Sequence, residues 1–263
     1  MKRGKKKRAL VISDLHCGHQ VGLTPPGYHV PVTSDRQEKW AAVREDLWSY
    51  FSEAVEKWRP YDILVVNGDA LEGKGVRSGG TELIHSDRSE QCKIAEMVIR
   101  YIKAPVIRMT YGTASHTGTE EDWEDIIARA VGARIGSHEW LEINGTVFDF
   151  KHKIGSSQIP HGRLTAIARE ILWNREWAVR GLQPKADVLI RSHNHYYEHC
   201  DHDECLGFVT PALQGFGSKF GARECSGTVD IGILVFDCYP FSGLEWHKEI
   251  IKGRAQVAAA EPL

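Results

Sequence analysis

Five short stretches, met in a fixed order, bring together carboxylates and imidazoles: Asp14-Leu15-His16, Gly68-Asp69, Gly112-Thr113-Ala114-Ser115-His116, Lys151-His152-Lys153 and Ser192-His193-Asn194-His195. Hard carboxylate oxygens neutralise dication charge, and neutral imidazoles hold borderline metals, so the set suits two adjacent divalent ions such as Mn, Zn, Fe or Mg. The chemistry this points to is binuclear hydrolysis. A carboxylate shared by two dications lets them sit a few ångström apart and drops a common water from pKa 15.7 toward about 7. Within Ser192-His193-Asn194-His195 the two imidazoles alternate along an extended segment, so both can face one way.

Each stretch sits where a strand should end. Ala9 to Ser13 is an apolar run too short for a helix and reads as a buried strand, so Asp14 and His16 hang from its C-terminal end. Trp40, Val43, Leu47, Phe51, Val55 and Trp58 recur at helical spacing up to Pro60, which makes these tryptophans packing residues rather than base-stacking platforms. Ile63 to Val66 is a second strand closed by Gly68-Asp69. Ile94, Val98 and Ile102 mark a helix, and Pro105 to Tyr111 is a third strand ending at Gly112. Three strand-helix repeats predict parallel strands, with ligands gathered beyond their carboxyl ends. The aperiodic stretch Gly73 to Arg88 is a candidate substrate-facing loop. Further on, a helix is expected over 120–131, then a hairpin from Trp140 to Lys151 about Asn144-Gly145, a helix through Ala166, Ile171 and Trp177, and a strand at Ala186 to Ile190. The remainder to Ile251 reads as all-β.

Bulk composition bounds the rest. The 263 residues, 42% hydrophobic, suffice for one large domain over 9–252, with a basic tail at 1–8 and a frayed tail at 253–263. A net charge of −2 gives no global attraction to nucleic acid or anionic membrane, although Lys2, Arg3, Lys5, Lys6, Lys7 and Arg8 could touch nucleic-acid phosphates. No apolar run approaches the ~20 residues of a membrane span. Six cysteines without framework spacing fit a reducing cytoplasm and no structural disulfide; His199 to Cys205 reads as a surface loop rather than a zinc site.

Taken in order, Asp-x-His, Gly-Asp, a Gly-to-His turn, a lone His after a hairpin and His-x-His resemble the calcineurin-like metallophosphoesterases, across roughly 9–196. The segments Phe150 to Ser156, Pro160 to Arg163 and Arg191 to His195 look like a phage- and prophage-type branch of that superfamily. The resemblance implies a mixed α/β fold, a four-layer αββα sandwich of two central mixed sheets with a dinuclear site at one rim. It implies that Asp14, His16 and His195 hold the first metal, that His152 and His193 hold the second, and that Asp69 bridges. It makes His116 the catalytic histidine at the leaving oxygen, and Arg163 and Arg191 stand as phosphate clamps by their nearness to the motifs. The family turn is Gly-Asn-His; here two residues are inserted, and Thr113 (aligned on the Gly) or Ser115 (aligned on the His) replaces the Asn ligand. A phosphate ester, a phosphodiester or nucleotide first, is the implied substrate, with nucleic acid a possible partner and no membrane. Two other readings stand beside it: a metal- or phosphate-binding module without turnover, and an amidohydrolase-type centre, whose motif order is the reverse of this one.

Overall fold

The computed structural model describes residues 5–28, 35–157, 159–202, 205–215, 229–241 and 243–252, the side chains of 35–39, 77 and 252 excepted. Lys2, Arg3, Asp203, Glu204, Cys225 and the expected tail at 253–263 lie outside the described residues. In chain order the strands are β1 (Lys7–Ile12), β2 (Ile63–Asn67), β3 (Val106–Thr110), β4 (Arg134–Gly136), β5 (Glu139–Ile143), β6 (Thr146–Lys153), β7 (Val188–Ser192), β8 (Glu198–His202), β9 (Cys205–Val209), β10 (Asp230–Tyr239) and β11 (Gly243–Lys252). The helices are α1 (Asp35–Trp58), α2 (Arg88–Ile102), α3 (Ala114–Thr117), α4 (Glu124–Val131) and α5 (Arg163–Val179).

Two mixed sheets form the centre. The first has the order β11-β10-β1-β2-β3-β4, with β1 to β4 parallel and β10 antiparallel to β1. The second has the order β5-β6-β7-β9-β8, with β6, β7 and β9 parallel. Between them lies a core of Val11, Val65, Phe148, Phe150, Ile190, Phe208 and Phe236. Outside the first sheet, Leu47, Phe51 and Val55 of α1, Ile94, Val98 and Ile102 of α2, and Ile127 of α4 bury the apolar stripe that their spacing predicts. Ile167 and Ile171 of α5 cover the second sheet. The layering is αββα, as the resemblance implies.

Local chemistry sets the elements. Asp87 caps α2 by accepting the Ser89 N–H at 2.8 Å. Asn144 (φ 53°) and Gly145 (φ 92°) give the β5–β6 hairpin two left-handed residues in succession, the demand of a primed turn. Three expectations change. The helix expected from Glu120 begins at Glu124, and the short α3 and β4 lie outside the periodicity because each is under two turns or a full pleat long. His199 to His202 belongs to edge strand β8, paired antiparallel with β9, and is not a loop. Lys6 and Arg8 are not a solvated tail: Asp237 of β10 binds Lys6 Nζ at 2.9 Å and Arg8 Nε at 2.6 Å. The five described cysteines are unpaired.

Candidate metal centre

The residues after the strand ends β1, β2, β3 and β7, with His152 near the end of β6, meet at one rim. Main-chain bonds splice them: Asp14 N–H donates to Gly68 O at 3.0 Å, His16 N–H to Asp69 O at 3.1 Å, and Leu213 N–H to Asp14 O at 3.1 Å. Glycine permits the approach. A Cβ on Gly112 would lie 2.1 Å from Asp69 Oδ1, and one on Gly68 would lie 2.5 Å from the His152 ring.

Asp14, His16 and His195 bring ligand atoms within 4.8 Å of one another, and so do Asp69, His152 and His193. These are the two sets expected for the two metals. His16, Asp69 and His116 form a third such group, so the two inserted residues do not carry His116 away from the cluster. His116 sits at the end of the α3 turn, its ring 4.6 Å from that of His16.

Hydrogen bonding fixes which nitrogen each imidazole presents. His152 Nδ1 donates to Asn67 O at 2.7 Å, and His116 Nδ1 donates to Glu72 O at 2.8 Å; a carbonyl only accepts, so Nδ1 carries the proton and Nε2 is left inward. His16 Nδ1 lies 2.7 Å from Glu72 Oε2, with Nε2 3.2 Å from His195 Nε2. Orienting acceptors behind inward-facing imidazoles are the usual outer partners of metal-ligating histidines.

The carboxylates need a cation. Asp14 and Asp69 are 0% and 1% exposed, and among the described residues their ion-pair partners are all histidines. Asp14 Oδ2 accepts the His193 N–H, but Oδ1 is a buried oxygen without a hydrogen bond. An orphaned anionic oxygen facing imidazole nitrogens is the fit that a divalent ion requires. Without metal, burial opposes charge on His152, but Asp69 and Asp14 outweigh it and raise its pKa to about 10. Burial likewise opposes charge on Asp14, yet His152 and His195 hold it down at about 2. Burial and the neighbouring His116 lower His16 to about 4, which keeps it neutral as a ligand must be.

Among the described residues, eight other than glycine have positive φ, and five of them are Asp14 (50°), His16 (45°), Asp69 (52°), His193 (78°) and His195 (55°). Left-handed backbone in residues with a Cβ is costly and concentrates at functional sites.

No family model matches the chain, and no curated protein matches it. Among solved structures it is similar to vacuolar protein sorting 29 of Cryptosporidium parvum, at 11% identity and TM-score 0.48 over 95% of this chain and 100% of that one. A phosphodiesterase from an archaeon gives 14% identity and TM-score 0.44 over 93% and 99%. Zinc-complexed Vps29 of Entamoeba histolytica gives 13% and 0.41 over 93% and 98%. Likeness at these levels transfers no residue's role.

The remaining expected residues divide. Thr113 N–H donates to Asp69 Oδ1 at 2.7 Å, and its hydroxyl lies 3.2 and 3.3 Å from the two Asp69 oxygens, with Ser115 Oγ 3.0 Å behind it. Arg163, at the start of α5, stacks over Tyr196 at 4.6 Å, one residue beyond His195. Arg191 is not a phosphate clamp. It is 1% exposed, with Nη1 on Asp149 Oδ1 at 2.7 Å and Nη2 on Glu170 Oε2 at 3.2 Å, so its fork is spent inside the fold. Glu72 escaped the sequence reading, although its place three residues past Asp69 on the same loop was a signal. Glu124 escaped it too: its two oxygens accept the Ala70 and Gly112 N–H groups at 2.8 and 2.7 Å, clipping the Asp69 loop to the Thr113 loop. Burial, then the Asp69 charge, pushes Glu124 up to about 7.

Proposed function

We propose that the chain is a metal-dependent phosphoesterase of the calcineurin-like metallophosphoesterase type, acting on a phosphodiester or nucleotide. The observation that carries this reading is the buried Asp14–Asp69 pair ringed by inward-facing imidazoles, with His195 Nε2 3.4 Å from a buried Asp14 Oδ1. Asp14, His16 and His195 would hold one divalent ion, His152 and His193 a second, and Asp69 would lie between. Ions bound there would supply Lewis acidity, lowering the pKa of water toward about 7 and offsetting charge on phosphoryl oxygens. The chain's own groups do the rest. His116, anchored through Nδ1 to Glu72 O, points Nε2 into the cluster, where it can hold a proton for the leaving oxygen. The Glu72 carboxylate lies 3.7 Å from His116 Nδ1. Thr113 positions Asp69 and offers its hydroxyl in place of the family's amide. Arg163 is the remaining phosphate clamp, with its guanidinium carbon 4.6 Å from the Tyr196 ring centroid.

The phage- and prophage-type branch is the finer form of this reading, supported by the segments on either side of His152 and His193. A reducing compartment fits the unpaired cysteines. Among the described residues, no helix is long and apolar enough to cross a membrane. Hydrolysis of bis-p-nitrophenyl phosphate against p-nitrophenyl phosphate with added Mn tests the proposal, with the diester expected to be preferred and Asp69→Asn expected to abolish turnover. Turnover indifferent to Asp69→Asn would remove the assigned centre. Metal binding without hydrolysis of either compound would leave a binding module, the outcome that the altered turn at Thr113 and Ser115 favours.

A further inference from the structure

The core between the two sheets is apolar up to the strand ends, where five neutral polar side chains take over. These are Ser13, Asn67, Thr110, Ser192 and Thr210, each at most 1% exposed. Four of them sit just ahead of the metal rim in the chain. Ser13 immediately precedes Asp14, Ser192 immediately precedes His193, Asn67 ends β2 before Gly68-Asp69, and Thr110 ends β3 before the Gly112-Thr113 turn.

Hydrogen bonds join the five into one belt. Thr110 Oγ1 donates to Asn67 Oδ1 at 2.8 Å, and Asn67 Nδ2 donates to Ser192 Oγ at 2.6 Å and to Lys151 O at 3.3 Å. Thr210 Oγ1 donates to Ser192 Oγ at 2.7 Å, so across the 2.7 Å between Ser13 Oγ and Thr210 Oγ1 the proton comes from Ser13. The belt thus crosses from the first sheet to the second at Asn67–Ser192 and again at Ser13–Thr210. Asn67 is its hub, because a carboxamide combines an acceptor with two donors where a hydroxyl has one. Its main chain serves the same place: Asn67 O accepts the His152 Nδ1–H at 2.7 Å, next to Lys151, where the β6–β7 register shifts between Phe150 and Lys153. The ladder lapses there, and Asn67 holds the irregular stretch that carries His152.

Each candidate metal set draws on both sheets. Asp14 and His16 follow β1 of the first sheet, whereas His195 follows β7 of the second; Asp69 follows β2, whereas His152 lies in β6 and His193 follows β7. The gap between the sheets at the rim therefore governs both sets. Apolar contact is non-directional and defines that gap loosely, while hydrogen bonds hold it to a narrow range.

On the metal-dependent reading, we infer that Asn67 is a positioning residue: its carboxamide fixes the spacing of the two sheets at the rim and so keeps the two halves of each metal set in register.

Manganese binding to the whole protein tests it, read by chelator competition and by electron paramagnetic resonance, in which spin coupling between two Mn ions reports their separation. The wild type is expected to show a coupled pair, as for ions about 4 Å apart. Asn67→Leu, similar in shape but without hydrogen-bonding groups, is expected to lose the coupled signal and to bind Mn at least about tenfold more weakly at both sites. Thr210→Val, which removes the second crossing, is expected to weaken both sites by a smaller factor. Phe236→Leu, in the apolar core between the sheets, lowers the Tm without touching the belt and is expected to keep the coupled pair. A coupled pair at full affinity in Asn67→Leu, or in Thr210→Val should Asn67→Leu not fold, overturns the inference and leaves the metal-dependent reading standing. So does a Phe236→Leu that loses the pair as Asn67→Leu does, since general softening would then explain both. A wild type that binds no pair of Mn ions removes the metal-dependent reading, and this inference with it.

Discussion

Replacing Glu72 by Gln separates its charge from its shape. The Gln side chain can still accept from His16 Nδ1, where the carboxylate now lies at 2.7 Å, and the backbone carbonyl that holds His116 is untouched. What disappears is a buried negative charge, which burial opposes and which His16 nevertheless holds at a pKa of about 2. Removing an outer partner of a metal-bound histidine typically costs 10–100-fold in affinity, about 1.4–2.7 kcal/mol. The loss should fall on the site built from Asp14, His16 and His195 and spare the one built from His152 and His193. Metal-free stability at neutral pH should fall as well, because, against the opposition of burial, His16, His19 and His116 hold the Glu72 carboxylate below its ordinary pKa and so favour its charge in the fold. Stepwise chelator competition followed by metal analysis reads the two affinities, and thermal unfolding of the metal-free protein reads the stability. Two unchanged affinities in Glu72→Gln would refute the positioning role; a loss shared equally by both sites would show that the effect is structural.

Three more predictions follow from the same geometry. Gly112→Ala places a methyl 2.1 Å from Asp69 Oδ1 and 2.3 Å from its amide nitrogen, so it should destabilise by about 1–3 kcal/mol and reduce bound metal; an unchanged Tm with full metal content would count against the close approach. Arg191→Met strands the buried Asp149, with Glu170 beside it, and should cost about 3–5 kcal/mol in urea unfolding while leaving KM for phosphate esters unaltered; a raised KM at unchanged stability would restore the clamp. Metal binding should release a proton from His152, whose pKa of about 10 in the metal-free protein means that the proton is bound below that value, so affinity should rise with pH up to it. Calorimetry at pH 7 in buffers of different ionisation enthalpy measures the release, and none would contradict the assignment.

The candidate ligands were legible in the sequence because they follow short apolar runs, and a strand end is easily recognised where Val-Ile or Val-Val stops at a polar cluster. Leu64 to Val66 is fully buried and Asp69 follows at once, so strand and ligand were found together. The αββα layering came from the resemblance, since no periodicity reports how two sheets stack. Glu72, Asn67 and Glu124 were not found because their roles depend on contacts between separate loops: Glu124 lies 54 residues from Ala70, and Asn67 lies 85 from His152. Arg191 misled for the converse reason. Its place beside Ser192 and His193 suggested the pocket, but alternation along β7 turns it to the opposite face, where Asp149 and Glu170 wait.

The five left-handed candidate ligands bear on why the rim is built from loops spliced to loops. Each such residue costs about 1–2 kcal/mol relative to right-handed backbone, somewhat less for Asp and His, so together they draw on the order of 5 kcal/mol or more, a large share of a domain's net stability. Such a conformation persists only where its neighbours over-determine it. Here they do. Asp14 is held through its N–H by Gly68, through its C=O by Leu213 and through its carboxylate by His193, while His195 O accepts the Asp230 N–H at 2.9 Å. Gly68 follows β2 and His193 follows β7, so Asp14 cannot relax without disturbing the loops that carry Asp69 and His193. Rigidity of that kind serves a cluster of like charges: with the backbone fixed, Asp14 and Asp69 cannot swing out to solvent, and the buried charge that results is compensated by His152 in the metal-free protein, as the proposed cations would compensate it.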